Sequence, residues 1–309
     1  MSSDRLMLLD TASLYFRAFF GVPDSMKAPD GTPVNAVRGL MDFISRLVGE
    51  YDPSHLVCCW DDDWRPQWRV DLLPSYKAHR VVAERPGPSP DVEEVPDPLE
   101  AQVPIIREVL AAYGIAVVGH PEMEADDVIG TLATGAGMPV DIVTGDRDLF
   151  QLVDDAAKVR VLYTARGVGR HERVDNAWVR AKYGIDAHQY ADFATLRGDA
   201  SDGLPGVAGV GEKTAATLLN RFDDVETILA AAEDPSSDLG PGPRGKIKAA
   251  AQYLAVAPTV VAVRRDLDLA LPDLSRPRQP ADEDAVAELT ERWDLGSAAA
   301  RLREALAGS

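Results

Sequence analysis

Acidic side chains that could bind metal ions occur in several clusters along the chain. Asp10 and Asp61 each follow a short apolar run. Denser acidic groups lie at positions 124–127, 146–148 and 199–202. The candidate ligands in these three groups are Glu124, Asp126, Asp127, Asp146, Asp148, Asp199 and Asp202.

These nine carboxylates predict a site for divalent cations. In one place they would repel one another and raise one another's pKa values unless cations bound between them. Ligand sets made only of oxygen favour Mg²⁺, Mn²⁺ or Ca²⁺, and the sequence has no Cys/His spacing typical of zinc sites. Two such ions about 4 Å apart can activate water and stabilise the leaving oxygen in phosphodiester cleavage. The clusters therefore favour a nuclease or a phosphatase.

Some of these acids are also compatible with roles that need no metal ion. Acids at the start of a helix interact favourably with its dipole and cap free N–H groups, which would suffice for residues 124–127. A phosphatase with an aspartyl nucleophile would use Asp10, but that mechanism usually needs a second Asp two residues later, where this chain has Ala12.

The apolar runs that precede the acids predict the strands of a parallel sheet. Residues 6–9, 56–60 and 140–143 are short and mainly apolar, as in strands buried on both faces. Helical spacing of apolar residues at 34–48 and 103–113 predicts helices between them, the second ending at Gly114. We therefore expect an α/β fold with a mostly parallel central sheet. Ligands of such sheets bind beyond the carboxyl ends of the strands, where Asp10, Asp61 and Asp146 would meet.

Composition limits the class of protein. The chain has 309 residues, 46% of them hydrophobic and 27% charged, which predicts about two folded domains. A net charge of −18 argues against bulk electrostatic binding to nucleic acid but allows a local basic stripe. Cys58 and Cys59 are adjacent and would point to opposite faces of a strand, so we expect no disulfide. With no signal peptide and no apolar run of membrane-spanning length, we expect a soluble cytoplasmic protein.

Residues 64–98 interrupt the alternation of strands and helices. Five prolines fall within thirteen residues there, which excludes a continuous helix or an inner strand. Four basic residues precede them: Arg65, Arg69, Lys77 and Arg80. This composition predicts a basic excursion from the sheet, and a disordered surface loop is the alternative.

From about residue 186 the composition is helical, with a glycine-rich segment at 203–211. Gly206, Gly209 and Gly211 allow a tight turn before a helix, where backbone N–H groups can bind a phosphate. Lys213 adds a positive charge. The pattern is typical of helix-hairpin-helix modules, which bind the DNA backbone without reading bases.

With these motifs the chain resembles the bacterial 5′-nuclease, or flap endonuclease, family, which is similar to the 5′-exonuclease domain of DNA polymerase I. The resemblance extends from Leu6 to about Val263, with six motifs in the family's order. They are Leu9-Asp10 with Tyr15-Phe16-Arg17-Ala18-Phe19, Trp60-Asp61 with Trp68-Arg69, Tyr76-Lys77-Ala78-His79-Arg80, Glu124-Ala125-Asp126-Asp127, Thr144-Gly145-Asp146-Arg147-Asp148-Leu149, and Gly198-Asp199-Ala200-Ser201-Asp202-Gly203-Leu204-Pro205-Gly206-Val207. No polymerase domain follows Ser309, so we expect a free-standing member.

The resemblance implies an architecture and a ligand set. We expect a PIN-like nuclease core at 1–185 with a helical arch at about 64–98, a helix-hairpin-helix region at 186–265 and a C-terminal helical extension at 266–309. One metal ion would lie near Asp10, Asp61, Glu124, Asp126, Asp127 and Asp146, and a second near Asp146, Asp148, Asp199 and Asp202. Aligning by Trp60 favours Asp61 as the ligand, whereas counting back from Arg69 favours Asp62.

The resemblance also implies DNA contacts. Lys77 and Arg80 would contact the scissile phosphate, and Tyr15 and Tyr76 would stack on unpaired bases. Arg69 and the hairpin would bind DNA as well. The carbonyls of Val207 and Val210 are the candidates to hold a K⁺ ion that ties the hairpin to one DNA strand.

The function expected from the resemblance is that of a nuclease dependent on Mg²⁺ or Mn²⁺, with two or more ions. It would hydrolyse flapped, nicked or gapped duplex DNA in replication and repair and leave 5′-phosphate and 3′-hydroxyl ends. We expect a monomer that does not bind membranes, with DNA polymerase or ligase as candidate partners. A ribonuclease acting on RNA primers and a non-catalytic binder of branched DNA are the alternatives.

Overall fold

The computed structural model describes residues 4–83 and 91–308 of the chain. The strands are β1 (Leu6–Asp10), β2 (His55–Cys59), β3 (Val81–Ala83), β4 (Val92–Glu93), β5 (Ala116–Val118), β6 (Val140–Thr144), β7 (Val159–Tyr163) and β8 (Glu172–Val174). Six of them form one sheet in the order β5-β2-β1-β6-β7-β8. Its neighbouring strands are parallel except for the pair β7 and β8. The predicted mostly parallel central sheet is confirmed.

Helices connect and cover these strands. They are α1 (Thr11–Gly21), α2 (Asn35–Tyr51), α3 (Gln67–Leu72), α4 (Asp97–Glu100), α5 (Val103–Tyr113), α6 (Ala125–Gly135), α7 (Asn176–Tyr183), α8 (Tyr190–Arg197), α9 (Glu212–Phe222), α10 (Val225–Glu233), α11 (Pro241–Ala249), α12 (Ala251–Leu254), α13 (Ala257–Val261), α14 (Glu283–Arg292) and α15 (Gly296–Ala307). The predicted helices at 34–48 and 103–113 are α2 and α5, and Gly114 ends α5 with a φ of 73°.

The sheet is buried on both faces, and its two faces belong to different apolar cores. Leu8 and Cys59 pack with α6 and the helices of the glycine-rich region, whereas Leu9 and Cys58 pack with α2, α5 and α15. Both cysteines are free and buried, as expected for neighbours that point to opposite faces of β2. The predicted absence of a disulfide is confirmed.

The C-terminal helices belong to the second of these cores. Helix α15 packs along α2, and α14 packs on α5. The buried side chains of Trp293 and Leu302 join Leu9 and Ile106 there. Residues 283–307 therefore complete the covering of the sheet that bears the acidic clusters.

The region expected to form a helical arch has a different local structure in its described part. It contains the six-residue helix α3, a 3₁₀ turn at Ala78–Arg80 and the antiparallel pair β3 and β4. Residues 84–90, with three of the five prolines, lie outside the described residues. The described part is therefore a short helix and an antiparallel pair of strands. Pro66 and Pro74, on either side of α3, prevent a longer helix.

The glycine-rich segment turns between α8 and α9. The backbone N–H of Val207 donates to the carbonyl of Leu196 at 2.9 Å, which places the turn against the end of α8. Gly211 then begins α9 as its N-cap.

No helix among the described residues is long and apolar enough to cross a membrane.

The turn predicts unequal tolerance of substitution at two of its glycines. Gly206→Ala is expected to cost at least about 1–2 kcal/mol of stability, because Gly206 has a φ of 67° and a Cβ there would lie 2.6 Å from the backbone nitrogen of Gly198. Gly211→Ser is the matched control. Its φ is −101°, no atom lies within 4 Å of a Cβ built there, and serine is favoured at an N-cap. Thermal denaturation distinguishes the variants, and equal melting temperatures would contradict this account.

Candidate active site

Three neighbouring strands bring the acids of the first group to one edge of the sheet. Asp10 is the last residue of β1, and Asp61 and Asp146 lie two residues beyond β2 and β6. Because β2, β1 and β6 are adjacent and parallel, these side chains meet around a cleft of about 320 Å³. The cleft is lined by Asp10, Ala12, Ser13, Tyr15, Phe16, Asp61, Trp64, Lys77, Arg80, Glu93, Glu124, Asp126, Gly145 and Asp146.

Local hydrogen bonds fix the carboxylates of Asp10, which is buried, and Asp61, which is partly buried. Asp10 caps α1 by accepting from the Ser13 N–H at 3.2 Å, and it also accepts from the Thr144 hydroxyl at 2.6 Å. Asp61 accepts from the Ala125 N–H at 2.7 Å, at the start of α6. The strand ends and the N-terminus of α6 are thereby joined.

The structure distinguishes between the neighbouring acids Asp61, Asp62 and Asp63. Asp61 lines the cleft, whereas Asp62 pairs with Arg107 at 3.2 Å outside the cleft. Asp63 is buried and accepts from the Arg65 N–H at 3.0 Å. Of the three, only Asp61 is among the described residues that line the cleft.

Glu124 links the cleft to the basic segment at 65–80. As the N-cap of α6, it is 3% exposed and accepts from the Tyr76 hydroxyl at 2.7 Å. Its other oxygen pairs with the Lys77 ammonium, which therefore lies inside the cleft. Arg80 also lines the cleft, and its guanidinium donates to the Ser201 carbonyl at 2.8 Å.

The second group of acids adjoins the first through Asp146. The N–H of Asp148 donates to an Asp146 oxygen at 2.9 Å, and the side chains of Asp148 and Asp202 are in hydrogen-bonding contact. Asp199 is 3.0 Å from Arg197 and 3.4 Å from Arg147. The two groups are therefore continuous.

Burial and mutual repulsion weaken the acidity of these carboxyl groups. Burial, with repulsion from Asp146, raises the pKa of Asp10 from 3.8 to about 6. Burial, with repulsion from Asp10, raises the pKa of Asp61 to about 7. The pKa values of Asp126 and Asp148 are also raised, first by burial and then by neighbouring carboxylates. Such carboxylates gain most from a bound cation, because it removes the repulsion.

The donor set fits a hard divalent cation, although the side chains are turned toward other partners. Among residues 4–83 and 91–308, no three acidic, histidine or cysteine side chains converge closely enough to hold one metal ion. Oxygens of Asp10, Asp61 and Asp146 accept from protein N–H or O–H groups instead. The donors available are carboxylate oxygens, which Mg²⁺ and Mn²⁺ prefer.

The predicted ligand Asp127 does not lie with the other acids. It is fully buried, and its two oxygens accept from the Arg69 guanidinium, each at 2.7 Å. The Arg264 N–H donates to it at 2.8 Å and the Glu124 N–H at 3.3 Å. Because these donors use its oxygens, Asp127 serves as half of a buried ion pair and capping box. This corrects its assignment as a metal ligand.

Two predicted DNA contacts are also corrected. Arg69 is 2% exposed and donates to Val260 O at 3.0 Å besides pairing with Glu124 and Asp127. Tyr76 is 4% exposed, so its ring is not available to stack on a base. Both residues hold Glu124 in place rather than face solvent. The sequence pattern did not predict that Arg69 contacts Glu124 and Asp127, because α3 is short and these partners are more than 50 residues away.

Tyr15 occupies a position that a base could reach. It lines the cleft and is half-buried, with its ring centroid 5.3 Å from that of Phe16 and 6.0 Å from that of Trp60. Trp64 and Glu93, which also line the cleft, were not predicted. Both belong to the proline-rich excursion, where no helical or strand pattern in the sequence predicts which way a side chain points.

The glycines of the hairpin, the turn between α8 and α9, differ in their exposure to solvent. Gly209, Gly211 and Lys213 are exposed, and α9 has no side-chain cap, which leaves its first N–H groups accessible. Gly206 instead packs against the backbone of residues 197–198. The carbonyl of Val207 accepts from the Val210 N–H at 2.9 Å, and the side chains of both valines are buried.

Two family models together match residues 5–284. The 5′-3′ exonuclease N-terminal resolvase-like domain matches residues 5–184, and the 5′-3′ exonuclease C-terminal SAM fold matches residues 185–284. The chain is 62% identical over 296 residues to a 5′-3′ exonuclease of Streptomyces coelicolor, covering 96% of this chain and 98% of that protein. It is 52% identical over 309 residues to a 5′-3′ exonuclease of Mycobacterium tuberculosis, covering 97% of each.

A solved structure shares the fold. The bacteriophage T5 flap endonuclease, in a complex with DNA and metal ions, matches with a TM-score of 0.62 and 18% identity over 98% of this chain and 99% of that one. The fold, the acidic cleft and the similar proteins define a nuclease. The chain belongs to the 5′-3′ exonuclease family, as the sequence motifs predicted.

The raised pKa values predict how stability without metal depends on pH. In the folded protein Asp10 and Asp61 keep their protons up to about pH 6 and 7, whereas the unfolded chain loses them near 3.8. Their contribution to stability is therefore present below about pH 4 and lost as the pH rises through 7. In EDTA the melting temperature should therefore fall between about pH 4 and 7 and level off above pH 7. Asp61→Asn should reduce this slope, and an unchanged slope would contradict the assignment.

Replacing Asp126 or Asp127 with asparagine should change the free energy of unfolding in opposite directions. Asp126→Asn removes a repelling charge from the cleft, so we expect a more stable protein in EDTA and loss of cleavage. Asp127→Asn leaves Arg69 without a full counter-charge, so we expect a loss on the order of 3 kcal/mol. Denaturant unfolding in EDTA measures both changes, and destabilisation of similar size in both variants would refute the distinction.

Proposed function

We propose that this 5′-3′ exonuclease is a divalent-metal-dependent enzyme that hydrolyses phosphodiesters in flapped, nicked or gapped duplex DNA. Cleavage leaves 5′-phosphate and 3′-hydroxyl ends. The observation that carries the proposal is that five predicted ligands line one cleft at the edge of the sheet and that Asp148 adjoins them through Asp146. The five are Asp10, Asp61, Glu124, Asp126 and Asp146, and the pKa values of Asp10, Asp61, Asp126 and Asp148 are raised. The T5 flap endonuclease, which was solved with DNA and metal ions, supports the same substrate and cofactor.

Two groups of side chains would hold the cations, which are Mg²⁺ or Mn²⁺. The first is Asp10, Asp61, Glu124, Asp126 and Asp146, and the second is Asp146, Asp148, Asp199 and Asp202. Bound there, the ions supply an activated water and stabilise the leaving oxygen. Ligation would require these carboxylates to exchange their present N–H and O–H partners for metal.

The basic residues of the cleft bind the substrate phosphate. Lys77 and Arg80 line it opposite the strand ends, and both are partly exposed there. Their charges oppose the negative charge that develops on the phosphate in the transition state. Tyr15 offers a ring in the same cleft for an unpaired base.

The hairpin holds the duplex away from the cleft. The uncapped N-terminus of α9, with Gly209, Gly211 and Lys213, suits a DNA phosphate that is bound without reading the base. Lys246 reinforces this surface, because its ammonium lies 2.7 Å from the Gly209 carbonyl. The carbonyls of Val207 and Val210 are the proposed K⁺ ligands. RNA primers are a second class of substrate, and DNA polymerase or ligase are proposed partners.

The direct test is cleavage of a 5′-labelled flap duplex with Mg²⁺, Mn²⁺ or EDTA. Asp148→Asn should lower the cleavage rate at least about 100-fold, since even partners of metal ligands contribute 10- to 100-fold, while DNA binding is kept or improved. Asp62→Asn is the matched control, because Asp62 lies outside the cleft and pairs with Arg107. It should cut at the wild-type rate.

Different results in this assay would overturn parts of the proposal. Cleavage in EDTA would exclude metal dependence. Tight binding without cleavage in either metal would make the protein a branched-DNA binder, and cleavage confined to a matched RNA flap would make it a ribonuclease. Equal loss of cleavage and binding in Asp148→Asn would assign that residue a structural role.

A further inference from the structure

Lys77 sits at the junction of several chain segments. Its backbone is in the left-handed region with a φ of 48°, an uncommon conformation for a residue with a side chain. Its N–H donates to the Asp202 carbonyl at 3.0 Å, and its ammonium donates to the Trp64 carbonyl at 3.3 Å and pairs with Glu124. The position of this ammonium therefore depends on how the preceding loop is held.

Arg65 holds that loop from the side away from substrate. It is 6% exposed, and its guanidinium donates to the Tyr76 carbonyl at 2.7 Å and to the Pro74 carbonyl at 3.2 Å. Tyr76 immediately precedes Lys77. The same guanidinium pairs with Asp91 at 2.6 Å, within the proline-rich segment.

The segment that carries Arg65 is itself anchored. The Arg65 N–H donates to the buried Asp63 at 3.0 Å, and the Trp64 indole donates to the Asp91 carbonyl at 2.8 Å. The stretch 63–65 thus contacts the chain before Lys77, at residues 74–76, and after it, at Asp91. Arg65 is not among the described residues that line the cleft, so its charge serves the loop rather than the substrate.

We infer that Arg65 is a positioning residue for Lys77: through the carbonyls of Pro74 and Tyr76 it sets where the Lys77 ammonium meets the substrate phosphate. This inference rests on the proposed function of Lys77. A planar guanidinium bonds two carbonyls and one carboxylate at once, whereas a lysine ammonium at the same position cannot reproduce that fork. A displacement of about 1 Å in a group that contacts reacting atoms can lower a rate by about 100-fold.

A double-mutant cycle on the full-length protein tests the inference. The variants are Arg65→Lys, Lys77→Ala and the double variant, and the readout is single-turnover cleavage of a 5′-labelled DNA flap in Mg²⁺. Arg65→Lys should slow cleavage about 10- to 100-fold in the wild-type background. In the Lys77→Ala background it should change the rate by less than about twofold, because its effect passes through Lys77.

Controls separate positioning from general destabilisation. Asp91→Asn weakens the ion pair of Arg65 but leaves the bonds to the Pro74 and Tyr76 carbonyls, so it should cut within about threefold of wild type. The dissociation constant of Arg65→Lys for the same flap in EDTA should also stay within about threefold. Melting temperatures report whether each variant is folded.

Each remaining outcome has a distinct meaning. Rate losses that multiply in the double variant, or an equal loss in Asp91→Asn, would refute the role of Arg65 and leave that of Lys77 intact. Wild-type cleavage by Lys77→Ala would refute the proposed function of Lys77, and the inference with it. If Arg65→Lys does not fold, Arg65→Gln, which keeps one donor for the Tyr76 carbonyl, takes its place in the cycle with the same expectations.

Discussion

Repulsion between carboxylates at the ends of β1, β2 and β6 is the constraint on which the rest of this structure depends. Parallel strands that lie side by side end at the same edge, so one acid on each strand suffices to bring several charges together. Burial strengthens the repulsion, because neighbouring charges interact more strongly where water is excluded. Burial first, and repulsion from a neighbouring carboxylate after it, raise the pKa values of Asp10 and Asp61. A chain that keeps such a cluster must supply counter-charges and a rigid frame, and the surrounding elements do so.

The frame consists mainly of one buried arginine and the helix that it meets. Arg69 pairs with Glu124 and Asp127 at the start of α6, so the helix N-terminus, which favours negative charge, and a guanidinium act on the same carboxylates. Breaking a buried pair of this kind leaves an uncompensated charge and destabilises a protein by about 3–5 kcal/mol. Lys77 pairs with the other oxygen of Glu124, so two cations face these two carboxylates, and the other acids of the cleft lie on a base whose own charges are balanced. This allows the exposed face of the cluster to remain unbalanced and available to cations.

Much of this arrangement could be predicted from the sequence, and the exceptions share a physical cause. Strands β1, β2 and β6, helices α2 and α5, and the meeting of Asp10, Asp61 and Asp146 follow from local apolar patterns and the rule for parallel sheets. Asp126 and Asp127 could not be told apart, because adjacent acids at a helix start can both cap it, and only tertiary contacts assign one to Arg69. Likewise, α2 has no side-chain cap of its own, and its Ala36 N–H donates at 2.8 Å to Gln102, 66 residues away. Interactions that close such long loops leave no periodic signal.

Other hydrogen bonds between residues distant in sequence hold the hairpin region against the edge of the sheet that bears the acids. Arg69 donates to the Val260 carbonyl, and Gln151 donates to the carbonyls of Val261 and Asp148 while accepting from the Val263 N–H at 3.0 Å. Residues 260–263, which follow the hairpin helices, are thus held on one side by Arg69, which also pairs with Glu124. On the other side they are held by Gln151, in the turn that carries Asp148. A displacement of that segment would change the distance between the two acidic groups. The segment after the hairpin helices and the acidic cleft are therefore coupled, because the same few buried hydrogen bonds hold that segment and the residues beside both groups of carboxylates.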